Sequence, residues 1–258
     1  MHRLFKALPL ILAIAALSLV ATGCGSSNTQ ARFVNAIPDT NDYGTGIGGL
    51  DVEVNGTKEF SNVAFGTASA STYVGIPAGS DTIEGLEYNT STEVFDEQNV
   101  RLTSGTQYTL VATGFATGTN GNNVIFLNPT DNNTEPADGK VSFRVINASP
   151  SGPAEVDVWI VPAPLNPPLP TSPSIPSLAY KAASTYFTTN YNSGGGGFLI
   201  YVAVAGTAGN GPFIISGQSI PQLGGVSEGS IRTIVLYDIK NGTTPGMNSQ
   251  ALVMPDLN

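Results

Sequence analysis

The chain repeats itself, and the repeat limits the folds open to it. Arg32-Phe33-Val34-Asn35-Ala36, followed by Pro38, returns as Arg144-Val145-Ile146-Asn147-Ala148, followed by Pro150. Leu50–Val54 returns as Val156–Ile160, Ser71-Thr72-Tyr73 as Ser184-Thr185-Tyr186, and Gly105–Val111 as Gly229–Val235. Four blocks in one order mean two homologous units, expected over 30–128 and 140–258. Residues 129–139 between them are polar, carry Pro129 and Pro136, and read as an exposed linker.

Each unit reads as strands. Leu50, Val52 and Val54 alternate with Asp51 and Glu53, and Val156, Val158 and Ile160 alternate with Asp157 and Trp159. Period-two alternation buries one face of a sheet. Asn55-Gly56 and Asn241-Gly242 follow strand-like runs directly, and Asn-Gly accepts positive φ at both corner positions of a tight hairpin. No amphipathic helical stretch follows the first 23 residues. The expected class is all-β: two tandem immunoglobulin-like antiparallel β-sandwich domains.

The first residues read as an export signal. Arg3 and Lys6 precede a short apolar run, Leu8–Val20, and Ala21-Thr22-Gly23-Cys24 closes it. This resembles the lipobox of bacterial lipoproteins, which implies cleavage after residue 23 and a diacylglyceryl group on Cys24. Residues 24–29 are then a short tether. Two or more acyl chains hold a protein firmly on a bilayer, whereas one binds marginally.

Removing residues 1–23 also removes His2, the only histidine, and leaves Cys24 as the only cysteine. That excludes internal disulfides, Ser-His-Asp and Cys-His nucleophiles, and zinc or iron sites built on His or Cys. The net charge of −9 becomes more negative without Arg3 and Lys6, which disfavours nucleic acid and anionic headgroups.

The repeated blocks carry a family resemblance. Arg-x-x-Asn-Ala-x-Pro, a hydrophobic-Asp-Val strand, the Asn55-Gly56 turn, Tyr73 after small residues, and Pro77-Ala78-Gly79 resemble DUF4397, a bacterial extracellular domain of unknown function. The second half lacks the Pro-Ala-Gly turn. The resemblance implies an exported, often tandem, immunoglobulin-like sandwich with no established activity.

Candidate sites are few. Asp51 with Asp157, and Arg32 with Arg144, occupy equivalent positions; they read as ion pairs or loop-holding hydrogen bonds ahead of a repeated polar site. Asn35 and Asn147 read as amides serving turn backbone. Asp131, Asn133, Glu135 and Asp138 fail the calcium-loop pattern, with Pro136 and Ser142 where glycine and glutamate belong. Asp39, Asn41 and Asp42 are a weaker oxygen-rich loop. Gly194–Gly197 lacks the lysine of a phosphate loop. Trp159, the only tryptophan, lies opposite the core-facing side of its strand, near a proline-rich insertion at 162–176 absent from the first unit. It is expected to pack under that insertion; exposed, it would be a binding platform together with Tyr191.

The expected function is that of a non-catalytic, lipid-anchored cell-envelope protein, without cofactor or metal, attached to the membrane through Cys24. Its expected partners are an envelope protein or a glycan. The rival readings are a carbohydrate-binding or adhesion module using Trp159, and a carboxylate-based hydrolase.

Overall fold

The structure is a computed structural model that describes residues 28–40, 48–69, 73–116, 124–164, 169–193, 197–207, 209, 211–217, 226–238 and 249–257. The signal, Cys24, Asn41 with Asp42, Gly194–Gly196 of the glycine run and the Asn241-Gly242 turn lie outside them.

The first domain holds β1 (Asn28–Ala36), β2 (Leu50–Val54), β3 (Thr57–Val63), β4 (Thr67–Ala68), β5 (Val74–Pro77), β6 (Gly79–Glu87), β7 (Glu93–Leu102), β8 (Gln107–Thr113) and β9 (Ile125–Leu127). The second holds β10 (Lys140–Asn147), β11 (Glu155–Pro162), β12 (Ile175–Ala179), β13 (Phe187–Asn190), β14 (Phe198–Val204), β15 (Phe213–Ile215), β16 (Ile231–Asp238) and β17 (Ser249–Leu257). A 3-10 turn, Pro38–Thr40, is the one helical element among the described residues. The expected all-β sandwich class is the one found.

Each domain is two sheets. In the first, β4-β1-β8-β9, with β5 also on β1, faces β3-β2-β6-β7. In the second, β13-β10-β16-β17 faces β12-β11-β14-β15. The pairing is antiparallel with one exception per domain: β1 runs parallel to β8, and β10 to β16. The sheets are otherwise antiparallel, as expected of such sandwiches. In each unit the first strand lies beside the penultimate one, β1 on β8 and β10 on β16, and the last strand, β9 or β17, pairs on the far side of it, so the chain enters and leaves through one sheet.

Period-two alternation builds the cores. Ala31, Phe33 and Ile37 point into the first core, and Val141, Phe143 and Val145 into the second. Phe33 stacks on Phe60 and Phe95 at 6.0 and 6.3 Å between ring centroids, and Phe143 meets Phe198 edge-on at 5.0 Å. The β2–β3 hairpin turns at Asn55-Gly56, with φ of 51° and 77°, as that dipeptide predicts.

The other faces of β1 and β10 are also buried. Val34, Ala36 and Val111 of the first domain pack with Ile146, Ala148, Val235 and Met254 of the second in a third apolar cluster. The molecule is thus four sheets deep, outer-inner-inner-outer, and its two inner sheets form a seam.

Candidate functional site

The seam collects the charged residues that the repeat had duplicated. On β1, Arg32 precedes Val34 and Ala36 on the seam-facing side; on β10, Arg144 precedes Ile146 and Ala148 in the same way. Both guanidinium groups are buried, at 0% and 2% exposure. Their parallel neighbours in register are Thr109 on β8 and Thr233 on β16. Parallel pairing is therefore what sets a hydroxyl beside each arginine.

The carboxylates are exchanged between the domains. Arg32 of the first domain donates through Nη2 to Asp256 Oδ1 of the second, and through Nη1 to Pro255 O at 2.6 Å. Arg144 of the second donates through Nη2 to Asp131 Oδ1, at the end of the first, and through Nη1 to Thr130 O at 2.8 Å. Each aspartate is also held by its own domain. Asp131 accepts from Thr109 Oγ1 at 2.8 Å and from Tyr73 OH at 2.6 Å. Asp256 accepts from Thr233 Oγ1 at 2.7 Å and from Tyr186 OH at 2.9 Å. The tyrosine rings lie over the guanidinium groups, Tyr73 on Arg32 at 5.0 Å and Tyr186 on Arg144 at 5.1 Å. Each arginine thus meets the same kinds of partner: an aspartate and a backbone carbonyl of the other domain, and a threonine hydroxyl and a tyrosine ring of its own.

Burial raises both tyrosines, against the pull of the neighbouring arginine: Tyr73 is pushed well above the usual phenol range, and Tyr186 up to about 12. Two guanidinium groups and two carboxylates balance in charge, and each carboxylate has hydroxyl donors besides its arginine. These are the conditions under which a buried ionic cluster is tolerated. It holds two surfaces together, and each carboxylate accepts from an arginine and from hydroxyl donors. Thr113 Oγ1 adds a bond across the seam to Ala148 O at 2.7 Å, and the Phe65 ring meets Tyr237 edge-on at 5.5 Å.

Of the residues singled out in sequence, Arg32 and Arg144 join this cluster. Asp131, placed in an exposed linker by its polar surroundings, has a fully buried carboxylate instead. The backbone explains the correction: Thr130 bridges to Tyr108, and Asp131 N donates to Gln107 O at 2.8 Å, so the first domain's sheet reaches this residue. Asp51 and Asp157 lie elsewhere and hold loops. Asp51 accepts from Lys58 Nζ at 2.5 Å, Ser61 Oγ at 2.8 Å and Asn62 N at 2.9 Å; Asp157 accepts from Ser177 N and Gly206 N, each at 2.8 Å. Asn35 donates to Val63 O and accepts from Ile37 N, and Asn147 does the same with Leu178 O and Ser149 N. Both amides serve turn backbone, as their sequence setting implies.

Trp159 is fully buried on the outer face of its sheet. It packs with Val161, Ala203, Leu169 and Phe213, and its Nε1 donates to Pro170 O at 2.9 Å. The proline-rich insertion covers it, so a binding platform on its ring has no open face. Tyr191 is half-buried against the second core, and its N–H donates to Gly139 O. Among the described residues no group of three or more His, Cys, Asp or Glu is placed to hold a metal ion.

Tyr73, Thr109, Tyr186, Thr233 and Asp256 escaped the sequence reading as members of a site. Four of them sit in the repeated blocks, which was the available signal. Asp131 and Asp256 follow Pro129 and Pro255 at spacings that differ by one residue, which hides their equivalence.

Two clefts flank one edge of the second domain. The first, of about 520 Å³, lies between β12 and β13 and is lined by Ile175, Leu178, Ala182 and Phe187 among small polar residues. The second, of about 420 Å³, opens at the seam and is lined by Thr130, Asn132, Arg144, Thr185 and Tyr186.

The sequence model of a family described as "Domain of unknown function (DUF4397)" matches residues 29–159, which is half of the chain: the whole first sandwich and the second as far as Trp159. No curated protein matches the chain.

Proposed function

The chain belongs to the DUF4397 family, and from that premise and the seam we propose that it is a non-catalytic, lipid-anchored module of the cell envelope. The observation that carries this reading is the exchange of Arg32–Asp256 and Arg144–Asp131 between the domains. The molecule commits its paired buried charges to joining two sandwiches, which suits a structural or interaction role. Cys24 would carry the lipid. Where the cell has two membranes, Gly25 in place of the aspartate that tends to retain lipoproteins at the inner membrane favours the outer one. With β1 beginning at Asn28, only Gly25, Ser26 and Ser27 would separate the lipid from the sheet; three extended residues reach about 10 Å, so the first domain would stand next to the bilayer. The acidic surface argues against nucleic acid as a partner.

The test is metabolic labelling with a palmitate analogue, followed by membrane fractionation. Label should enter the wild type and be lost in Cys24→Ser, which should also shift out of the membrane fraction. Unlabelled native protein in the soluble fraction would overturn the anchored reading.

A further inference from the structure

The corner between β2 and β3 carries a chemically labile bond. Asn55 and Gly56 are its two turn residues, between the paired Val54 and Thr57, and both are exposed. In an Asn-Gly pair the glycine nitrogen can attack the side-chain carbonyl carbon of the asparagine, because glycine has no Cβ to hinder the approach. The space around this glycine is open: a Cβ added to Gly56 would meet nothing within 4 Å. On attack the glycine nitrogen bonds to that carbon and gives up its proton. The carbon's bond to the amide nitrogen breaks, and ammonia departs with the proton. Water, the one co-reactant, then opens the cyclic imide at either carbonyl, which leaves aspartate or isoaspartate.

The fold holds Asn55 back from this reaction. Its Oδ1 accepts from Thr82 N at 2.9 Å, and its Nδ2 donates to Asp81 Oδ1 at 2.7 Å. Its backbone N–H donates to Thr82 O at 2.9 Å. All three bonds run to β6. Turning the side-chain amide toward the glycine nitrogen and releasing its own nitrogen forfeits both side-chain bonds, one of them to a carboxylate. Hydrogen bonds to a charged group are the stronger kind.

Asp81 also makes the conversion consequential. It is 4% exposed, its Oδ1 accepts from Asn55, and its Oδ2 has no hydrogen-bond partner. The Asn55 amide is thus the donor on which this buried carboxylate depends. An aspartate at position 55 would withdraw that donor and set a second anion against the first, and like charges at such range disfavour one another. Isoaspartate would also lengthen the backbone within a two-residue corner. The matching block of the second domain, Val156–Ile160, is followed by Val161-Pro162, so the site belongs to the first domain alone.

We propose that Asn55 is a site of spontaneous deamidation gated by its bonds to Asp81 and Thr82. The site is shut while the β2–β6 corner is closed, converts when that corner opens, and its product keeps the corner from closing again. Asp81 is the positioning residue of this gate.

The experiment incubates the protein at mildly alkaline pH in native buffer and in urea. Conversion at Asn55 is followed by peptide mapping, from the mass gain of amide to acid and from labelling by an isoaspartate-specific methyltransferase. The same dipeptide occurs at Asn120-Gly121, Asn210-Gly211 and Asn241-Gly242, whose asparagines lie outside the described residues, and these serve as references within the chain. In urea Asn55 should convert as readily as the references. In native buffer it should convert at least about a hundredfold more slowly than in urea, since the reaction waits for local opening. Asp81→Ala should speed native conversion of Asn55 at least about tenfold and leave the references unchanged. Asp81→Asn keeps an acceptor for Asn55 Nδ2 and should convert like the wild type. Asn55→Asp, which supplies the product directly, should speed hydrogen exchange of the residue-55 amide at least about tenfold, and this reading does not require an Asp81 variant to fold. Native Asn55 converting as fast as in urea overturns the proposal. So does Asp81→Ala converting no faster than Asp81→Asn, or Asn55→Asp leaving exchange unchanged.

Discussion

Removing one carboxylate from the seam should cost more than any surface ion pair is worth. Asp256→Ala takes the acceptor from Arg32, Thr233 and Tyr186 together. Arg32 is fully buried, and the next carboxylate, Asp131, lies 3.8 Å away and already serves Arg144. A buried cation that loses its partner destabilises by about 3–5 kcal/mol. Asp131→Ala should fall at the upper end of that range, because it strips Arg144, Thr109 and Tyr73 and also removes the second anion near Arg32. The double replacement Arg32→Met with Asp256→Leu removes both charges and should recover most of the loss, since apolar substitutes for a buried pair are often neutral or better. Urea unfolding of Arg32→Met, of Asp256→Leu and of the double variant, read as midpoints at constant slope, measures the coupling. An Asp256→Ala cost below about 1 kcal/mol, the scale of exposed pairs, would refute the reasoning. So would single-variant losses that simply add in the double.

Trp159 emission should be blue-shifted and shielded from iodide, and Trp159→Ala should destabilise the second domain by about 3–5 kcal/mol; red, quenchable emission would show that Pro170 and its neighbours do not cover the ring. Asp51 gives a separate acid signature. Burial opposes its charge, but the bonds from Lys58, the Asn62 N–H and Ser61 outweigh it and hold the carboxyl at about 2 instead of 3.8. A depressed carboxyl contributes stability that is present above its unfolded value and lost as pH falls through the folded one. The β2–β3 hairpin should therefore loosen between pH 3.8 and about 2, followed by the Lys58 and Asn62 amide signals, and Asp51→Asn should flatten that transition.

How far the sequence could be read depended on whether the information was local. Strand alternation, the Asn55-Gly56 corner and the bonds that the Asn35 and Asn147 amides accept from the N–H two residues on are set within a few residues, and all are found as expected. The covered Trp159 was legible because the insertion that covers it is close in sequence. The seam was not. Val34, Ala36, Ile146 and Ala148 alternate with core residues as any solvent-facing positions would, but they are small and apolar, which gave β1 and β10 two buried faces. Asp131 was misread because its neighbours are polar, and no local pattern records an arginine thirteen residues away on another strand.

The exchange of partners ties the polar seam residues of the repeat to one another, whereas the solvent side of the outer sheets differs between the domains. On the outer face of the first domain, Glu53 and Glu84 lie opposite one another, and Glu84 is raised by burial and by Glu53, Glu93 and Asp96 around it. The equivalent position to Glu53 in the second domain is Trp159, under its insertion. An outer face meets only its own loops, so each domain could change it alone. A seam residue meets the other domain: altering Arg32 strands Asp256, and altering Arg144 strands Asp131. Each half of the seam is therefore constrained by the sequence of the other half. The surfaces left free to differ are the outer sheets and the sandwich edges, and the cleft between β12 and β13 lies at such an edge.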